Sequence, residues 1–299
     1  MSPARSQKVR ATQKLVDQMG WVFNCPSLVA IEVAWRWIFG APLLLVCWRQ
    51  AAAILAALPP ESTGLTGIDK QNPWVAAVQL ADVWARYEPS VAHTLAWLAP
   101  AAICAWIVIS GVGRNLVFRR LEPDVGFRPI AMMTLQAGML VVLGAVFLAW
   151  FRSMQWVADT HISPAGEADL IGYSIWAIFL SLGFFTLWAL VSWPFTVAPL
   201  LMVLEQRSPV SALLASFRLG REFTSKLMEI NLVMGIVKLA LIVLAMVFSA
   251  APLPFSDELG SDAMHWVWAG ATLFFLVASD YFQVVRLKSF VEFWRAFRG

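Results

Sequence analysis

Residues 130–151 read IAMMTLQAGMLVVLGAVFLAWF, and this run decides the fold. It carries no charge. As a helix rising 1.5 Å per residue it would be about 33 Å long, close to the hydrocarbon thickness of a bilayer, about 30 Å. The chain around it has the same character. Of 299 residues, 60% are hydrophobic and 14% charged, against about 45–50% and about 25% in soluble domains. Mean hydropathy is +0.69. These values exclude a disordered chain. They also exclude an ordinary soluble domain, which could not cover so apolar a core with polar surface.

Five further runs match the first in length and character: Ala34–Leu58, Val91–Ser110 (with an extension toward Val117), Leu170–Trp193, Met228–Ala250 and Met264–Val285. The fourth span in chain order stays apolar to Leu204. Pro194 and Pro199 interrupt it, because each removes a backbone donor and clashes with the preceding turn. The expectation is a span ending near Trp193, then a kinked or interfacial extension.

Basic residues set the orientation. Lys and Arg concentrate in cytoplasmic loops. Four fall in the N-terminal segment (Arg5, Lys8, Arg10, Lys14) and four after the second span (Arg114, Arg119, Arg120, Arg128). Four more follow the fourth span (Arg207, Arg218, Arg221, Lys226), and four lie at the C-terminus (Arg286, Lys288, Arg295, Arg298). The opposite loops hold only Lys70, Arg86 and Arg152. The expected fold is an all-α polytopic bundle of six transmembrane helices. Both termini are cytoplasmic and the host is a bacterial cytoplasmic (inner) membrane. The first twenty residues are basic without a compact apolar run, unlike a cleaved signal peptide.

The organisation expected is a cytoplasmic amphipathic segment, 1–28, followed by a six-span membrane domain, 29–299. Three stretches have the period of amphipathic helices. In Gln7–Phe23, Thr12, Leu15, Val16, Met19, Val22 and Phe23 share one face. Near 73–86, in an outer loop, Asn72 would cap, Pro73 would stand at the first helical position, and Trp74 and Trp84 follow. Near 209–219, Ser208 and Pro209 open the helix, Gly220 follows it, and Val210, Leu213, Leu214 and Phe217 form a stripe. Two readings stand for each: a helix lying on the membrane, or ordinary packing against the bundle. A faint similarity between 121–131 and 204–212 hints at an internal repeat.

Ionisable groups inside spans are the candidate polar site, because a charge there is costly. Glu32 and Arg36 stand four apart in the order that favours a helical ion pair, at the inner end of the first span. Arg49 lies two-thirds of the way across and could snorkel outward. Lys238 is about 15 Å deep and Asp280 about 8 Å, at 1.5 Å per residue. A Lys238–Asp280 pair would fix packing, or the two would line a route for an ion or ligand.

Other chemistry is thinly represented. Three separated cysteines, Cys25, Cys47 and Cys104, build no disulfide framework or zinc motif. His93, His161 and His265 fall in different outer segments without metal-ligand spacing. Interfacial belts account for many of the sixteen tryptophans. No hydrolase, nucleotide or metalloprotease motif is present. Gly111 and Gly113 suit close helix packing rather than a phosphate loop. No catalytic residue, cofactor or metal is expected, and the net charge of +3 is too small to suggest nucleic acid.

One resemblance completes the reading. Ser110-Gly111-Val112-Gly113-Arg114 ends a span before a basic loop. Ala198-Pro199-Leu200-Leu201-Met202-Val203-Leu204-Glu205 precedes Ser211-Ala212-Leu213-Leu214-Ala215-Ser216-Phe217-Arg218-Leu219. This pattern, within about residues 100–250, resembles uncharacterised bacterial six-span families akin to the membrane domain of glycerophosphoryl diester phosphodiesterase. The resemblance implies a helical membrane domain tied to lipid or envelope biology, without that enzyme's catalytic domain. The function expected is a non-enzymatic scaffold or accessory subunit, its partners being membrane lipids and other membrane-protein subunits. The alternative is a carrier of a small or lipidic solute using Lys238 and Asp280. An intramembrane enzyme would need a convergent polar cluster that the sequence does not assemble.

Overall fold

The computed structural model describes residues 11–68, 73–162, 169–219, 221–250 and 261–298. In order, the helices are α1 (Ala11–Phe23), α2 (Pro26–Ala57), α3 (Pro60–Thr63), α4 (Pro73–Leu121), α5 (Pro129–His161), α6 (Leu170–Leu204), α7 (Pro209–Phe217), α8 (Arg221–Ala250) and α9 (Ser261–Arg298). A 3-10 turn, Leu65–Gly67, follows α3. Among the described residues there is no strand. Helices α2, α4, α5, α6, α8 and α9 are each long and apolar enough to cross a membrane, and each falls on one expected span. The chain divides into two compact units, Ala34–Ser110 and the remainder.

In the first unit, α2 and α4 pair antiparallel. Near one end the Trp106 ring stands 5.7 Å from Trp35 and 4.9 Å from Phe39, centroid to centroid. Near the other, the Tyr87 hydroxyl donates to the Leu58 carbonyl at 2.8 Å. The intervening corner is clamped to α4. Thr63 Oγ1 and the Tyr87 hydroxyl share a 3.1 Å bond, and Arg86 donates to the Ser62 carbonyl at 3.1 Å. Gly64, with φ of 85°, ends α3 in the left-handed region, where a side chain would be strained.

The expected outer-loop helix near 73–86 is not a separate element. It runs directly into the second span as α4, through Pro89 and Pro100. Proline costs one backbone bond but need not end a helix whose neighbours hold it, and here Tyr87 and Arg86 tie the turn before Pro89 to the corner. Asn72 lies outside the described residues.

In the second unit, α5 and α6 form a long antiparallel hairpin. Trp150 Nε1 donates to Ser181 Oγ at 3.1 Å, and Trp156 and Trp176 meet edge to face with centroids 6.5 Å apart. The second correction concerns α6. The helix is continuous from Leu170 to Leu204, with Pro194 and Pro199 inside it. Residues 194–204 are a helical extension of the span, and they carry its packing. Every buried residue of α6 falls there, from Pro194 to Val203, and none between Leu170 and Trp193. Two hydroxyls near the prolines bond the helix's own carbonyls: Ser192 Oγ donates to the Ala189 carbonyl and Thr196 Oγ1 to the Ser192 carbonyl, each at 3.2 Å.

Helix α7 starts as expected, with the Ser208 hydroxyl accepting the Ser211 N–H at 3.3 Å. It packs on α6 and α5. Its inward residues are the small ones, Ala212 and Ser216, while Val210, Leu214 and Phe217 are exposed. The stripe on α1 divides similarly: Leu15 and Val22 are buried, Val16 and Phe23 exposed. α1 packs on α9 and α8. Helix α9 continues past Val285, and this extension is core, burying Phe290, Val291 and Trp294.

The α5–α6 turn contains an exposed charged cap. Asp169 Oδ1 accepts the Gly172 N–H at 2.8 Å, and Oδ2 stands 3.1 Å from His161 Nδ1. The Gly172 bond first, and His161 second, hold the Asp169 carboxyl below its ordinary 3.8. Folding therefore favours the charged form. The contribution is complete above the ordinary carboxylate range and is lost as pH falls through the lowered value. Asp169→Ala should lower the detergent unfolding temperature at pH 5–7. The gap to wild type should close as pH falls below 3.8; a gap unchanged at pH 2–3, an acid range chosen about one unit or more below that value, would refute the assignment.

Candidate functional site

Polar side chains of the second unit gather where α9 meets α1. Tyr281 donates its hydroxyl to the Met19 carbonyl at 2.8 Å. Two turns on, Lys288 Nζ lies 4.3 Å from the Trp21 ring centroid and bonds Glu292 at 2.6 Å. Arg295 makes a two-oxygen contact with Glu122, just past α4, and stands 3.5 Å from Glu292. Arg120 reaches Ser27 Oγ at 3.5 Å, and Arg128 donates to the Gln206 carbonyl at 3.0 Å. Arg207 pairs with Glu205. The basic loops are thus latched to neighbouring segments. Exposed pairs of this kind add little stability individually, but planar guanidinium bonds set the register of the segments they join.

The same unit also holds buried polar groups. Glu32 is 1% exposed, Asn115 2% and Asp280 5%, with Gln283 buried beside Asp280 on the same face of α9. Both amide atoms of Asn115 lack a partner among the described residues, as do Gln18 Oε1 and Asn231 Oδ1. A buried amide without partners costs about 1–3 kcal/mol. Such groups are either structural strain or places where a polar solute or water is held.

The expected site residues fall on three helices: Glu32, Arg36 and Arg49 on α2, Lys238 on α8 and Asp280 on α9. Glu32 and Asp280 are buried in the second unit. Arg36 lies over the Trp35 ring, 5.2 Å from its centroid. Arg49 is exposed on α2 in the first unit. Lys238 belongs to α8, but its side chain lies outside the described residues, and with it the proposed Lys238–Asp280 pair. Asn115, Gln283 and Lys288 were not foreseen. Gln283 had a usable signal, since three residues from Asp280 is one helix face.

No protein-family model, curated protein or solved structure matches this chain. The site therefore has to be read from its own chemistry. Carboxylates and amides at this depth can exchange protons, bind a cation or hydrogen-bond a solute. Among the described residues, no group of three or more His, Cys, Asp or Glu side chains is placed to hold a metal. His93 is exposed, His161 serves Asp169, and the His265 side chain lies outside the described residues.

Proposed function

We propose that this protein is a non-enzymatic accessory subunit or scaffold of a bacterial inner membrane, with both termini cytoplasmic. In that setting it packs against other membrane proteins and lipid. One observation carries the reading: span-length stretches of helix have no buried residue of their own. Leu170–Trp193 buries nothing, and Ile38, Leu44, Leu45, Trp48 and Leu55 of α2 are all exposed. Apolar surface on this scale fits hydrocarbon or a partner helix, not water. The sixteen-to-three asymmetry of loop charge supports the orientation. The resemblance of residues 198–219 to envelope-associated membrane domains supports the setting.

The second reading, a carrier of a small or lipidic solute, is favoured by the buried Asp280, Gln283 and Asn115. Native mass spectrometry of the chain extracted in mild detergent separates the two. A membrane protein at fixed stoichiometry is the expected result. A lone chain retaining a lipid or small solute would overturn the accessory reading in favour of the carrier.

A further inference from the structure

Arg49 is the odd residue of the first unit. It is exposed, and among the described residues it has no hydrogen-bond, ion-pair or ring partner. It stands eight residues before the end of α2 at Ala57, about 12 Å along the axis. The contacts within the unit give its level. Tyr87 meets Leu58 at one end and Trp106 meets Trp35 at the other. Twenty-three residues separate Trp35 from Leu58, about 35 Å of helix, slightly more than the hydrocarbon core of about 30 Å. Arg49 is therefore well inside it.

Snorkelling does not solve the problem. Helical side chains lean toward the helix N-terminus. For Arg49 that direction is toward Leu45, deeper into the apolar stretch and away from Ala57. Its own face offers nothing polar: Pro42, Leu45, Ala52, Ala53 and Ala56 are all exposed. An always-charged guanidinium at this depth calls for a partner, and a carboxylate, which takes it bidentately, is the strongest.

We infer that the Arg49 face of α2 docks a different membrane protein, whose spanning helix carries an Asp or Glu at the same depth. This rests on the accessory-subunit reading and names its interface. A second copy of the chain does not fit. Its acids at span depth, Glu32 and Asp280, are buried. Glu61, Asp82 and Glu88 lie at or beyond the Leu58–Tyr87 level. Glu229 is exposed but is only the third residue of the apolar stretch Leu227–Leu244, at the end that follows the basic 207–226 loop, whereas Arg49 lies two-thirds of the way across its own span from the basic N-terminal side. The alanines one and two turns beyond Arg49 let a partner helix approach closely.

The test places a photocrosslinking residue at Ala53, on the Arg49 face, and separately at Ile178, on the exposed stretch of α6, in the full chain in its native membrane. Ala53 should capture one protein through a span containing Asp or Glu. Arg49→Leu should reduce that adduct about tenfold or more without changing the unfolding temperature of the isolated chain, and Arg49→Lys should retain part of it. Arg49→Glu should abolish the adduct, and Arg in place of the partner's acid should restore it. Lipid adducts only, adducts to a second copy only, or an Arg49→Leu yield equal to wild type would each overturn the inference. If Ile178 still captures a protein in those cases, the accessory reading survives without this interface. If neither position captures protein, both fall.

Discussion

Leu201→Ala should destabilise the protein by about 2–5 kcal/mol, toward the lower end of that range, while Leu182→Ala should change stability by less than about 0.5 kcal/mol. Both leucines belong to α6, and hydropathy alone would treat them as equivalent. Leu201 is 1% exposed and Leu182 60%. In a membrane the transfer term nearly vanishes, because lipid tails are as apolar as leucine. What remains at Leu201 is the cavity and the lost dispersion contacts. At Leu182, lipid refills the space. Reversible unfolding in mixed detergent micelles would measure both. Equal effects would mean that the packing does not concentrate in residues 194–203.

Gly111→Ala should cost about 1–3 kcal/mol, as overpacking does. A Cβ on Gly111 would overlap Met133 Cγ and sit 3.1 Å from the Met133 backbone N. The methionine side chain can shift; the backbone of α5 cannot without moving the helix. Gly144→Ala is the control, since a Cβ there meets nothing within 4 Å, and the better helix propensity of Ala should leave it neutral or slightly stabilising. Adding Met133→Ala to Gly111→Ala should recover part of the loss, and the double-mutant cycle should show a coupling of about 0.5–3 kcal/mol. An unchanged unfolding midpoint in Gly111→Ala would mean that α4 and α5 do not approach closely there.

The helical content and six spans were legible because the physical rule behind them is local: a chain in hydrocarbon must satisfy its backbone within each helix. The capped start of α7 was legible for the same reason, since Ser208, Pro209 and Ser211 are neighbours in sequence. Pro194 and Pro199 were harder to read. A proline removes a local bond, so it reads as a break. Whether the helix survives depends on what packs against it, here the α5 and α7 contacts around the buried residues 194–203 of α6. The candidate site was half legible. Glu32 and Asp280 stood out as charges in apolar runs, but Asn115 and Gln283 are uncharged and sit where the expected spans end.

The sequence by itself determined the all-helical class and the six helices long and apolar enough to span a membrane, both of which follow from composition along one dimension. Only the tertiary structure decided which ends of those spans pack. Residues 194–203 and 284–294 hold the core, whereas 170–193 and 38–55 contain no buried residue. In water an amphipathic stripe announces the buried face, because burial and polarity go together. In hydrocarbon they do not, so a buried leucine and a bare one are written with the same letter.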